Sequence, residues 1–212
     1  MRGEKDGVDE FNRFRKLYWN YFLELEHEFA ETSRYVSFEK SNSNTYSREF
    51  LKLLQAICSE IDVVGKEIAS IVDPTFNSNG KQTIKNWGYA LQKQFHLKDY
   101  TACFLEDLSL DPWKDWEYEA RPSKAGAVNL AVVGGKPTIS WWKDYNSVKH
   151  QRTAIVEGTS NFAKANLGNV ILALAALFIM ETVFLNWLVE KCGVEQNCGK
   201  STLFVLNCSA HT

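Results

Sequence analysis

Leu167 to Val189 reads LGNVILALAALFIMETVFLNWLV, 23 residues that carry a single charge, Glu181. Two settings accommodate such a run. It is long enough to cross a bilayer, which takes about 20 apolar residues. It is also what a helix covered on several sides looks like. Glu181 falls near the middle, where insertion scales charge about 2.5–3.5 kcal/mol for a central Asp, Lys or Arg. Asn169, Thr182 and Asn186 add further polarity. The run is therefore expected at the centre of a helical bundle, covered by neighbouring helices and by a second copy of the chain. Ser160 or Asn161 starts this helix and it runs to about Cys192.

The rest of the chain supplies the helices that such a core needs. From Asp9 to Ser33, Phe11, Phe14, Tyr18, Tyr21, Phe22, Leu25 and Phe29 recur at three- and four-residue steps, the period of an amphipathic helix. Tyr35 to Phe38 alternates locally and reads as extended, and Ser41 to Thr45 as a polar loop. A second helix spans Ser47 to Val72, with Ser47 as its cap, an apolar face from Phe50 to Ile71 and Pro74 as its stop. Asn77 to Gly80 is a turn, and a shorter helix follows from Gln82 to about Phe95.

Residues 97–139 break the helical pattern. Asp111-Pro112-Trp113 and Gly134 to Pro137 are turn signals, and Tyr100 to Leu105 and Val128 to Val133 read as strands of a small hairpin or sheet. The stretch is too short and too polar for a core of its own, so it is expected as an insertion in one domain covering residues 1–212. The predicted fold class is all-α, a bundle of four to five helices with a small irregular or β insertion before the fourth helix.

Composition narrows the function. The net charge of −2 gives no global basic field, so contact with a polyanion must come from a local patch. Cys58, Cys103, Cys192, Cys198 and Cys208 form no Cys-x-x-Cys pair, which fits reduced thiols in a cytoplasmic protein. Met1 to Glu10 is charged, and no signal peptide is expected. Gly134-Gly135-Lys136 is followed by Pro137, which removes an amide donor that a phosphate-cradling loop needs. The four histidines are too scattered for local metal spacing, so neither metal nor cofactor is expected.

Chemistry concentrates in the fourth helix, from Ser140 to about Val156. Trp141 to Arg152 (WWKDYNSVKHQR) holds two tryptophans, an acid, two amides, a histidine and three cations. Trp141 and Trp142 read as packing anchors. His150 is a side chain whose charge changes near neutrality. Lys143 precedes it by seven residues and Asn146 by four, so all three share one helical face. Lys149 and Arg152 project elsewhere on an ideal helix.

Tyr145-Asn146-Ser147-Val148-Lys149-His150 resembles the Arg-x-x-x-x-His hallmark of the HEPN superfamily, often written Arg-Asn-x-x-x-His. Asn146 and His150 match, and Tyr145 stands where the family has Arg. The form Tyr-Asn-x-Val-Lys-His is also similar to bacterial HEPN-like proteins related to abortive phage infection. The resemblance implies a homodimer in which two motif helices meet and share a site for metal-independent RNA cleavage, in phage defence or a toxin system with an antitoxin or defence partner. It implies that His150 moves the proton and that cations hold the phosphate. Lys143, Asn146, His150 and Tyr145 are then the catalytic candidates, and Lys149 and Arg152 the candidates for holding RNA or nucleotide phosphate. A tyrosine carries no positive charge near neutrality and cannot replace a bidentate guanidinium. The alternative is a non-catalytic dimeric interaction or regulatory module on the same scaffold, and a third reading is membrane association through the last helix. Glu60 and Asp62 on the second helix are candidates for orienting the histidine, and Asn166 and Asn169 for bonding to the motif helix.

Overall fold

The structure is a computed structural model that describes residues 4–76, 82–116, 118–122, 128–132, 139–193 and 198–208. The chain is mostly helical, with a small antiparallel sheet. The first helical run is α1 (Glu4–Phe14), a π-helical turn (Arg15–Trp19) and α2 (Asn20–Glu31). The π turn has a cause in the side chains. Phe11, Phe14, Trp19, Phe22, Leu25 and Phe29 are the buried set, and the step of five from Phe14 to Trp19 matches the period of a π turn. Straight α-periodicity instead selects Tyr18 and Tyr21, which lie half-buried and exposed. Trp19 enters the core and donates its Nε1 to Gly199 O at 2.8 Å.

Helix α3 (Arg48–Val72) begins as expected: Ser47 Oγ accepts from Phe50 N at 3.0 Å. Helix α4 is Ile84–Phe95 and α5 is Ser140–Gln151. The last helix, α6 (Leu167–Cys192), starts about six residues later than its composition predicts. Asn161–Lys164 forms a separate 3₁₀ turn, and Asn166 caps α6 by accepting from Asn169 N at 2.9 Å. Gly193, at φ 63°, ends it in the left-handed conformation that suits glycine.

Helix α6 is the core element, packed against α1, α2, α3 and α5. Its length and composition would allow it to cross a membrane, yet 78% of its most apolar stretch is buried inside the fold. Glu181 is 0% exposed.

Both expected strands form, each with a partner of its own. Strand β1 (Tyr100–Phe104) pairs antiparallel with β2 (Leu108–Leu110), and on its other edge with β7 (Phe204–Cys208) from the far end of the chain. Strand β4 (Val128–Val132) pairs with β3 (Tyr118–Pro122), not with β1. The predicted fourth helix ends early, at Gln151. Strands β5 (Ile155–Val156) and β6 (Thr159–Ser160) form a tight hairpin there through Glu157 at φ 52° and Gly158 at φ 80°. Tyr35 to Phe38 forms no strand, and Phe38 stacks on Phe29 at 4.5 Å instead. The turns expected at Asn77 to Gly80 and Gly134 to Pro137 lie outside the described residues.

A tryptophan cluster joins the irregular region to the helices. Trp113 stacks on Trp116 at 4.5 Å and meets Trp141 edge-on at 5.5 Å, while Trp87 meets both Trp116 and Trp142 edge-on. Buried indole nitrogens need acceptors. Trp113 donates to Ala176 O and Trp141 to Pro112 O, both at 3.1 Å, and Trp87 donates to Asp62 at 3.0 Å. Gly88 lets α4 approach this cluster, since a Cβ there would fall 2.1 Å from the Trp116 ring.

Candidate functional site

Helix α5 buries Trp141, Trp142, Tyr145 and Val148 and turns the rest of its surface outward. The anchors expected from sequence are thus anchors in the fold. Lys143, Lys149 and His150 are exposed and Asn146 is half-buried. Among the described residues, neither the Lys143 nor the His150 side chain has a hydrogen-bond or ion-pair partner. The Asn146 amide donates to Trp142 O at 3.0 Å, one turn back on its own helix. Tyr145, the residue at the arginine position of the motif, is 4% exposed. Its ring lies 5.1 Å from that of Trp142, and the Lys149 ammonium sits 5.4 Å above it. Lys149 is therefore directed along α5 toward this ring, a cation–π contact.

A carboxylate holds α5 in place. Asp144 Oδ1 pairs with Lys164 at 3.2 Å, and Oδ2 accepts from the Asn169 amide at 3.2 Å. Lys164 also donates to Ser147 Oγ at 3.3 Å. The contact expected between Asn169 and the motif helix forms. Asn166 serves the α6 cap, and its own amide donates to Ala163 O. Glu60 and Asp62 are engaged elsewhere: Asp62 pairs with Lys66 and accepts from Trp87, and Glu60 is a charged neighbour of Glu181, Tyr18 and Tyr21.

Arg152 stands just past the end of α5, and it lines a groove of about 570 Å³ with Arg48, Leu51, Thr153, Ser160 and Phe162. Backbone bonds bring these distant residues together. Leu167 N donates to Thr45 O and Gly168 N to Ser43 O, both at 2.9 Å, drawing the approach to α3 against the start of α6. Phe162 N donates to Arg152 O at 3.1 Å, and the Asn161 amide to Gln151 O at 2.9 Å. Among the described residues, no acidic residue lines the groove. Arg13 pairs with Glu10 and Glu67, and Arg34 with Glu31, whereas Arg48 and Arg152 have no partner among the described residues. Arg48 was not among the candidates read from sequence.

A second group of polar atoms lies inside the bundle. Both carboxylate oxygens of Glu181 and the Thr182 hydroxyl are buried without a hydrogen-bond partner among the described residues. Burial, and then the charge of Glu60, push the Glu181 carboxyl well above the usual range. Burial raises Glu60 to about 7. Burial also lifts the Cys58 thiol. Among the described residues, no three His, Cys, Asp or Glu side chains gather in a way that could hold a metal ion.

No family model, curated protein or solved structure matches this chain.

Proposed function

We propose that this chain is a HEPN-like, all-α bundle protein that binds RNA or nucleotide as a homodimer in the cytoplasm and cleaves RNA without a metal, in phage defence or a toxin system. The supporting observation is the outward face of α5. Lys143 and His150 are exposed with no partner among the described residues, on a helix whose opposite face is fixed in the core. Two such faces meeting across a two-fold axis would put two imidazoles and two ammonium groups around one phosphodiester. One His150 imidazole would take the proton of the 2′-hydroxyl as its oxygen attacks phosphorus, and the 5′-oxygen would leave with a proton from the second, protonated imidazole, giving a 2′,3′-cyclic phosphate and a 5′-hydroxyl. Proton transfer of this kind contributes about 10²–10⁴-fold. Fixed cations stabilise the charge that builds on the phosphoryl oxygens. Lys143 and Asn146 belong to the same face, and Lys149 and Arg152 hold flanking phosphates.

The experiment is RNA cleavage in EDTA by wild type and His150→Ala, with end-group analysis. Cyclic-phosphate ends that disappear in the variant support the nuclease. A second reading has its own support. Tyr145 leaves the arginine position without a cation, and its ring is committed to packing against Trp142. On that reading the protein is a dimeric interaction or regulatory module that retains the scaffold. It would show no cleavage, and His150→Ala would keep partner binding.

A further inference from the structure

Arg48 and Arg152 are 104 positions apart in sequence, yet both line one groove beside α5 and, among the described residues, neither meets a carboxylate. The fold brings two arginines to the wall of one space that, among the described residues, no acid lines. We infer that this groove takes a 5′-nucleoside monophosphate, either free or as the 5′ end of an RNA strand. The inference rests on the proposal that the protein binds RNA or nucleotide and assigns the chemical group that its surface receives.

Charge selects the phosphate. Two guanidiniums carry two positive charges, matched by a phosphate monoester at about −1.5 to −2, whereas a diester within a strand carries one negative charge. Guanidinium also presents paired donors in the geometry that phosphate oxygens accept. The rest of the lining selects what the phosphate is attached to. A space of about 570 Å³ is far larger than phosphate needs and falls in the usual range of small-molecule sites. Thr153 and Ser160 bring hydroxyls that can bond to a sugar or phosphate oxygen. Leu51 and Phe162 bring apolar surface, and Phe162 is propped edge-on against Tyr46 at 5.4 Å. An aromatic face beside a cationic pair is how bases are held without sequence preference. Arg48, Arg152 and Thr153 are exposed, so the groove opens outward and the remainder of a strand can leave it.

The test is a set of titrations of the full chain by fluorescence anisotropy and calorimetry. The probes are a 5′-phosphorylated RNA tetranucleotide, its 5′-hydroxyl counterpart, AMP and inorganic phosphate. The 5′-phosphorylated strand is expected to bind about tenfold or more tightly than the 5′-hydroxyl strand. Arg48→Ala and Arg152→Ala are each expected to remove about tenfold of that binding. Phe162→Ala should weaken AMP and the phosphorylated strand while leaving inorganic phosphate unchanged. AMP binding as tightly as the strand identifies the free nucleotide as ligand, and a preference for the strand identifies the RNA end. Equal binding of the phosphorylated and hydroxyl strands, or binding indifferent to both arginine variants, overturns the inference. Both arginines are on the surface, so their removal does not threaten folding. Cleavage of an internal RNA linkage is followed in the same samples. Cleavage that depends on His150 while both arginine variants bind like wild type sinks the groove assignment alone. Arginine-dependent binding without cleavage sinks the nuclease alone.

Discussion

Asn169 in the first turn of α6 donates its amide to Asp144 on α5 at 3.2 Å, and the same carboxylate pairs with Lys164 at 3.2 Å. Lys164 closes the 3₁₀ turn that carries Phe162. One acid thus ties together the motif helix, the core helix and the aromatic wall of the groove.

Replacing Asp144 by Ala is expected to cost about 1–2 kcal/mol, because the side chains involved are partly exposed and water replaces some of what is lost. The larger effect should be on placement. Phe162 and Arg152 lose their shared anchor, so affinity for AMP should fall although neither groove residue is changed. Urea unfolding and AMP titration of the same variant separate the two effects.

Glu181 and Glu60 make stability depend on pH. Burial holds the Glu60 carboxyl at about 7 against an ordinary 4.5. The groups facing it are Glu181 from α6 and Tyr18 and Tyr21 from the first helical run. Between these two values the folded chain keeps a proton that the unfolded chain releases, so unfolding free energy falls as pH rises through that window. Glu181 acts in the same direction, its carboxyl raised by burial and then by the charge of Glu60. The urea midpoint should therefore decline from pH 5 to pH 8. Glu60→Gln should flatten the lower part of the decline. Glu181→Met removes two buried oxygens without partners and should raise stability at pH 7 by about 1–3 kcal/mol. A decline of unchanged steepness in both variants would refute the assignment.

Local rules carried the helices and failed at contacts between distant segments. Ser47 as a cap and Pro74 as a stop are chemistry of neighbouring residues, and α3 obeys both. Helix α6 starts late because Asn166, not Ser160 or Asn161, is the residue whose side chain accepts from the third amide onward. The pairing of β7 with β1 has no local signal, because the partners are about 100 residues apart and β7 is short. Trp19 was missed because a π turn shifts the apolar period by one residue. The outward face of α5 could be read from spacing alone, since Lys143 and His150 are seven apart. Arg48 left a fainter trace. Arg13 and Arg34 each follow a glutamate by three residues and pair with it. Three residues before Arg48 stands Thr45 and three before Arg152 stands Lys149, so neither has the acid one turn back that pairs with Arg13 and Arg34. That they share a groove is a fact of the fold.

Glu26 is 2% exposed and accepts from Ser201 Oγ, Thr202 N, Thr202 Oγ1 and Leu203 N, immediately before β7. It holds the incoming strand against the helices. Glu26→Ala leaves buried amides unpaired and should cost about 3 kcal/mol or more. Loss should be concentrated where β7 meets β1. Hydrogen exchange at Thr101, Cys103, Val205 and Asn207, whose pairs exchange amide bonds between β1 and β7, is the readout, and uniform loosening across α3 and α6 instead would contradict a local latch.

Tyr145 tests whether the missing arginine can simply be restored. The position is 4% exposed, against Trp142 and beneath the Lys149 ammonium. A guanidinium placed there would meet the Lys149 ammonium, and burying a charge beside a like charge costs several kcal/mol. Tyr145→Arg is therefore expected to lower stability by about 3 kcal/mol or more rather than to raise RNA cleavage. Tyr145→Phe keeps the ring and its packing, and should change stability by no more than about 1 kcal/mol. If the ring acts only as an anchor, the Phe variant cleaves RNA as wild type does. If the hydroxyl touches the phosphate, the Phe variant folds normally and loses activity. Thermal unfolding and cleavage in EDTA, measured on both variants, decide between an anchor and a catalytic hydroxyl.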